Sequence, residues 1–181
     1  MTGFMGSGKS AIGKRLADRL HIPFRDLDNL IEHAAQQRIP DIFREKGEAH
    51  FRKLERDYFT EAVSQSPLVL ALGGGAIQQP EIAEYLRENT ITVYLDVPLK
   101  ILFERLRRNQ NRPLLHDSDG NLLGDAQLMQ RISELLLERE PLYQNAHITV
   151  SIQHGWTIDD TTNKLIRLLK QHASSSIPEN H

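Results

Sequence analysis

The residues best equipped for chemistry are Gly3-Phe4-Met5-Gly6-Ser7-Gly8-Lys9-Ser10. The spacing Gly-x-x-x-x-Gly-Lys-Ser makes a loop whose backbone amides turn inward around a phosphate chain. Its glycines supply the positive φ such a turn requires. Lys9 is placed to reach the β- and γ-phosphates of a nucleoside triphosphate, and Ser10 to ligate Mg²⁺. A helix that begins near Lys9 adds the positive end of its dipole. Gly6, Ser7, Gly8, Lys9, Ser10 and Ala11 are therefore the expected nucleotide-binding set.

Further groups carry chemistry downstream. Asp26-Leu27-Asp28 offers two carboxylates two residues apart. One can hold the water shell of Mg²⁺, and the other can accept hydrogen bonds from a hydroxyl-bearing substrate. An isolated Asp at position 28 would be read as a helix cap; beside a phosphate loop the functional reading prevails. Gly73-Gly74-Gly75 permits close backbone approach to a small ligand, where one or two glycines would satisfy a turn. Arg52 and Glu55 lie three apart on one helical face, so Glu55 can orient Arg52. Taken alone, that pair reads as a surface ion pair. Arg112 sits in a polar loop, from which it can swing onto a transferring phosphate. Arg139 ends a helix, where a cation is favourable in any case.

The elements that must position these groups alternate. Ile12, Leu16 and Leu20 recur at helical spacing. Residues 22–26 read as a short strand, followed by helices from about Asp28 and from Pro40 to near Gly47. Phe51 to Ala62 gives a long helix. Leu68 to Leu72 is an apolar run of the kind a buried parallel strand shows. Pro80 starts a helix, Thr90 to Leu95 is a β-branched strand, and a helix follows Pro98. Residues 109–125 form a long polar loop of the kind that serves as a mobile lid. A helix from Ala126 to about Glu140, a strand at Ile148–Ile152 and a helix from Thr157 to Lys170 complete the domain. Residues 172–181 read as a disordered tail. Alternation of this kind implies a parallel sheet covered on both faces, with the site at the carboxyl ends of the strands. Four strands are countable. A fifth is expected immediately before Gly3, where only Met1 and Thr2 stand.

Composition excludes several classes. The chain has 181 residues, with 22 basic and 24 acidic side chains and a net charge of −2, which gives no general attraction to nucleic acid. It has no cysteine, so thiolate chemistry and disulfides are ruled out. No apolar run approaches the ~20 residues of a membrane span, and no secretory leader is legible. A soluble cytoplasmic protein is expected.

As a set, these residues resemble shikimate kinase. The resemblance rests on the phosphate loop, Phe24-x-Asp26-x-Asp28, Gly47-Glu48-x-x-Phe51-Arg52-x-x-Glu55, Leu72-Gly73-Gly74-Gly75-Ala76, Arg112-Pro113-Leu114-Leu115 and Arg139-x-Pro141-Leu142-Tyr143. It covers the chain from Gly3 to about Val150. It implies a three-layer α/β/α P-loop kinase fold with a central parallel sheet, normally five-stranded, and a mobile lid, forming one domain over residues 1–171. The implied activity is transfer of the ATP γ-phosphoryl to the 3-hydroxyl of shikimate, in chorismate and aromatic amino-acid biosynthesis, by a monomer that uses Mg²⁺. By the same resemblance Lys9 and Ser10 hold the phosphates and the metal, and Asp26 is the acid near that metal. Asp28 binds shikimate hydroxyls and serves as base, and Arg52 and Arg139 grip the shikimate carboxylate. Gly73, Gly74 and Gly75 line its pocket. Arg112 is the lid arginine. Arg105 falls at the adenine contact, with Arg107 and Arg108 as neighbours of the same type.

Departures from the pattern are the absent strand before Gly3, Ala11 in place of a frequent Thr, and an acidic lid carrying His116, Asp117 and Asp119. Without that strand two sheet edges would be open, and the chain is expected to melt below a version extended upstream. A gluconate-type kinase shares the loop and lid but has no reason for paired carboxylate-binding arginines. A nucleoside monophosphate kinase would need a base-bearing second substrate. A GTPase-like switch would need Asn-Lys-x-Asp, and Asn163-Lys164-Leu165-Ile166 lacks the Asp.

Overall fold

Helix α1 (Lys9–Leu20) grows directly out of the phosphate loop. Its N-cap is Gly8, at φ 100°, and no side chain caps it, so its first amides remain available to an anion. Ile12, Leu16 and Ala17 bury its inner face. The computed structural model describes residues 1–108 and 121–175. Arg112, His116, Asp117, Asp119 and most of the expected lid lie outside the described residues, as do residues 176–181.

Strand β1 (Phe24–Asp26) pairs in parallel with β2 (Val69–Ala71), in the register Phe24–Val69 to Asp26–Ala71. Strand β3 (Val93–Asp96) pairs in parallel with β4 (Ile148–Ser151), from Val93–Ile148 to Asp96–Ser151. Residues 1–3 join the two pairs. The Met1 amino group donates to Leu70 O at 2.6 Å, and Leu72 N donates to Met1 O at 3.0 Å. On the other side Thr2 N donates to Val93 O at 2.7 Å, and Leu95 N donates to Thr2 O at 3.1 Å.

As expected, no regular fifth strand precedes Gly3; Thr2 forms only an isolated parallel bridge with Tyr94. The seat of such a strand, between β2 and β3, is filled at the carboxyl end, and the spatial order is β1, β2, residues 1–3, β3, β4. Three residues carry no periodicity, so the pattern could not reveal them. Beside the amino ends of β2 and β3 lies an apolar cleft of about 340 Å³, lined by Met1, Leu16, Ile22, Leu70 and Val93 among others. Burial of the Met1 ammonium, with Lys9 adding repulsion, pushes its pKa down to about 5.

The remaining elements are α2 (Leu27–Ala35), α3 (Ile39–Val63), a 3₁₀ turn (Ala76–Gln78), α4 (Pro80–Asn89), α5 (Leu99–Arg107), α6 (Asp125–Tyr143) and α7 (Ile158–Ser175). Phe4, Leu16, Leu95, Leu102, Ile132 and Leu165 belong to one hydrophobic core. Leu27, Ile31, Ile42, Phe51, Phe59 and Leu72 belong to a second, beneath α2, α3 and α4. Helix α3 continues across Gly47, which breaks it at φ 79°, ψ 172°, so the expected stop is a kink. Helix α6 runs past Pro141 to Tyr143; the carbonyl that the ring frees belongs to Leu137, 75 % exposed, where water can take it. Helix α7 extends to Ser175, so residues 172–175 are helical and not part of a tail. Among the described residues no helix is long and apolar enough to cross a membrane.

Gly3 is the joint between this sheet segment and the loop. Its φ is +138°, and a Cβ there would stand 2.9 Å from Leu95 O. Gly3→Ala is expected to lower unfolding stability by about 2–4 kcal/mol, read as a lower urea midpoint with an unchanged m-value. An unaltered midpoint would mean that residues 1–3 are not seated in the sheet.

Candidate active site

Near the carboxyl ends of the strands lies a cleft of about 280 Å³. The loop, Asp26, Asp28 and Gly74 line it, together with Met5 and Leu72. Lys9 Nζ donates to Gly3 O at 2.8 Å and Phe4 O at 3.0 Å, which holds the ammonium over its own loop. Ser7 N closes the loop onto Phe4 O at 3.1 Å, and Ser7 Oγ is buried without a partner. Arg105 Nη1 donates to Gly6 O at 3.2 Å and Ser7 O at 3.1 Å. Arg105 is thus the arginine of its cluster that faces the nucleotide loop, while Arg107 pairs with Asp125 at 3.2 Å on the exposed side.

Asp26 and Asp28 divide their tasks. Asp26 is the N-cap of α2, accepting from Asn29 N at 3.4 Å. Its other oxygen accepts from Ser10 Oγ. The cap that Asp28 might have supplied is therefore supplied by Asp26. Asp28 is left facing the cleft, and its carboxyl is pushed up to about 6 by burial, with the Asp26 charge adding and Lys9 opposing. Among the described residues no group of three His, Cys, Asp or Glu could hold a metal. Ser10 and Asp26 are hard oxygen donors in mutual contact, which fits Mg²⁺ completed by phosphate oxygens and water.

The triple glycine turn is where the second half of the site meets the first. A Cβ on Gly73 would lie 2.6 Å from Asp28 Oδ1 and 3.1 Å from Glu55 Oε1. A Cβ on Gly75 would lie 2.9 Å from Arg52 Nη2. One on Gly74 would approach Met5 N at 3.4 Å. A side chain at position 73 or 75 would have to push Asp28, Glu55 or Arg52 away from the turn. Glu55 is 1 % exposed, and its Oε2 accepts from Arg52 Nη1 at 2.6 Å, so the pair is a buried fixture and not a surface ion pair. Arg52 also donates to Glu48 at 3.1 and 3.2 Å.

Tyr143 OH donates to Gly74 O. Its pKa is pushed up to about 12 by burial, against the pull of the adjacent, hydrogen-bonded Arg139. Arg139 Nε is buried without a hydrogen-bond partner, which is the mark of a guanidinium aimed at something that can accept from it.

Asp28, Arg52, Gly73, Gly74, Gly75, Lys9, Ser10 and Asp26 are thus brought together, with Arg139 joined through Tyr143. Arg112 falls outside the described residues. Tyr143 was legible only as the last letter of a motif. Met5 and Gln79, which holds Glu55, gave no signal in the sequence pattern.

A sequence model of the shikimate kinase family matches residues 5–170. Shikimate kinase of Chlorobium chlorochromatii is 41% identical over 97% of this chain and 94% of its own length. That of Chlorobaculum parvum is 42% identical over 94% and 93%. Among solved structures, shikimate kinase from Acinetobacter baumannii in complex with shikimate is 35% identical, covers 97% of this chain and 92% of that one, and superposes with a TM-score of 0.82. The enzyme from Bacteroides thetaiotaomicron, also 35% identical, covers 93% and 96% with a TM-score of 0.85.

The raised pKa of Asp28 makes a prediction about stability as well as rate. An acid whose folded pKa lies above its unfolded value binds more protons when folded, so its contribution is intact below about 4 and is lost as pH rises through 6. Asp28→Asn is expected to unfold at higher temperature than wild type at pH 7.5, by an increment on the order of 2 kcal/mol. The increment should vanish near pH 4, while turnover is lost at every pH. A variant no more stable than wild type at pH 7.5 would show that Asp28 is not a buried, strained carboxylate.

Proposed function

The chain belongs to the shikimate kinase family, and from that premise we propose how its residues carry the γ-phosphoryl group of ATP to the 3-hydroxyl of shikimate. The observation that carries the reading is the triple glycine turn. It sets a carboxylate, Asp28, and an anchored guanidinium, Arg52, against one backbone segment beside the phosphate loop. Shikimate has one carboxylate and three hydroxyls, and this inventory matches it. Arg52, held by Glu55, and Arg139, with its unpaired buried Nε, grip the carboxylate through charge-assisted hydrogen bonds. Asp28 accepts from the hydroxyls.

Phosphoryl transfer asks the protein mainly for positioning and charge stabilisation. Asp28, half ionised near pH 6, takes the proton of the attacking hydroxyl as its oxygen bonds to the γ-phosphorus. The bond from that phosphorus to the bridging oxygen breaks, and ADP leaves with the electron pair. Lys9 and the amides of the loop and of α1 stabilise the charge on the phosphates. Ser10 and Asp26 would hold Mg²⁺, which would supply further neutralisation of that charge. Arg105 braces the outer carbonyls of the loop and offers its guanidinium plane to the adenine. Arg112 is assigned to the transferring phosphate. Products are shikimate 3-phosphate and ADP, and the setting is the family's, aromatic amino-acid biosynthesis. The same reading makes the enzyme a cytoplasmic monomer.

A coupled ADP-release assay tests it. Shikimate is expected to drive ADP release, and gluconate and nucleoside monophosphates are expected to give background only. Arg52→Ala and Arg139→Ala should each raise the KM for shikimate by about 10–100-fold with the KM for ATP little altered. Equal turnover of gluconate, or an unchanged shikimate KM in both variants, would overturn the assignment.

A further inference from the structure

Behind the Arg52–Glu55 pair stands a residue that no motif includes. Gln79 is 6 % exposed and lies between the 3₁₀ turn that follows the triple glycine and the first turn of α4. Its backbone is committed to the fold: Gln79 N donates to Ala76 O at 3.1 Å, and Gln79 O accepts from Ala83 N at 3.0 Å. Its side chain bridges two opposite charges. Nε2 donates to Glu55 Oε2 at 2.6 Å, and Oε1 accepts from Arg56 Nη1 at 2.7 Å. The amide orientation is fixed by chemistry, because a carboxylate only accepts and a guanidinium only donates.

Glu55 Oε2 therefore takes two donors, Arg52 Nη1 and Gln79 Nε2. Its other oxygen faces the Gly73 turn. Burial pushes the Glu55 carboxyl up, and the hydrogen bonds from Arg52 and Gln79 pull it back. Gln79 thus does two things for Glu55: it fixes which oxygen faces Arg52, and it helps keep that oxygen charged in a dry place. A carboxyl without this donor would lose its hold on the proton-free state and rotate, and Arg52 would lose the partner that aims it.

We propose that Gln79 is a positioning residue for the acceptor site, acting through Glu55 to aim Arg52 at the shikimate carboxylate. The proposal rests on the assignment of Arg52 to that carboxylate. Gln79 does not touch the loop, so its influence should fall on one substrate.

The test is steady-state kinetics from pH 5.5 to 9 on wild type, Arg52→Ala, Gln79→Leu and Gln79→Glu, with thermal melting of each. Gln79→Leu keeps the volume and removes the bridge. It is expected to raise the KM for shikimate about 10-fold with the KM for ATP and kcat within about twofold. Its shikimate KM should also worsen at a higher pH than in wild type as the pH is lowered, because Glu55 protonates earlier. Gln79→Glu is the sharper probe. A protonated carboxyl has the donor and acceptor of the amide it replaces, so its shikimate KM should approach wild type at low pH and rise as the shared proton is lost. A purely structural role predicts instead a lower melting temperature with both KM values unmoved or moved together, and that result overturns the proposal. If Arg52→Ala itself leaves the shikimate KM unchanged, the carboxylate assignment fails and the proposal with it. If Arg52→Ala raises it and Gln79→Leu does not, the proposal alone fails.

Discussion

Four hydrogen bonds at Met1 and Thr2 tie the phosphate loop to the middle of the sheet, one to β2, one to Leu72 just beyond it and two to β3. Every other feature of the site takes its position from that seat. The loop leaves the sheet between the strand that ends at the triple glycine and the strand that ends at Asp96. Helix α1 therefore starts at the carboxyl edge with its amides toward the cleft, and Ser10 meets Asp26 at the end of β1. A parallel sheet places strand ends side by side. What makes the edge a site is that three successive strand ends carry a phosphate cradle, a pair of acids and a run of bare backbone.

The electrostatics of that edge are deliberately unbalanced. Asp26, Asp28 and Glu55 gather around Lys9 and Arg52, and Asp28 feels the other acids as well as burial. Glu55 is matched locally by Arg52 and Gln79, and Asp26 by Ser10 and the first turn of α2. Asp28 is governed by burial, with the Asp26 charge adding and Lys9 opposing, and its carboxyl is pushed up to about 6. Burial of one acid and hydrogen bonding of the other set two similar residues, two positions apart, in different environments.

How much of this was legible depended on whether the signal was local. The phosphate loop is one uninterrupted pattern, and it read correctly down to the helix start at Lys9. Asp26 and Asp28 were legible as a pair, but not which of them caps α2, because both lie within reach of a helix start and only the backbone decides. Arg52 and Glu55 were legible as an i, i+3 contact, but as a surface pair; burial at 1 % exposure arises from packing beneath Gly73 and Gln79, which lie far along the chain. Residues 1–3 gave no strand signal because a strand is recognised by alternation, and three residues are too few. Gln79 was unreadable, and the contact of Tyr143 with Gly74 likewise, for the same reason in side-chain form: each acts through tertiary hydrogen bonds that spacing does not encode. The kink at Gly47 and the passage of α6 through Pro141 show glycine and proline marking irregularities within helices where the pattern suggested their ends.

The two hydrophobic cores divide the residues packed around the cleft. Residues behind the loop, such as Phe4, Leu16 and Leu106, belong to one core; Phe51, Phe59, Leu72 and Ala76, which frame Arg52 and Glu55, belong to the other. The break at Gly47 frees the second half of α3 to follow its own packing against α4, independently of the direction set by the half that packs on α2. Close-packed interiors transmit displacement to the groups packed on them. A change that disturbs the second core's polar lining, at Glu55 or its partners, is therefore felt first by Arg52, while the loop and α1 remain registered to the sheet through Met1 and Thr2.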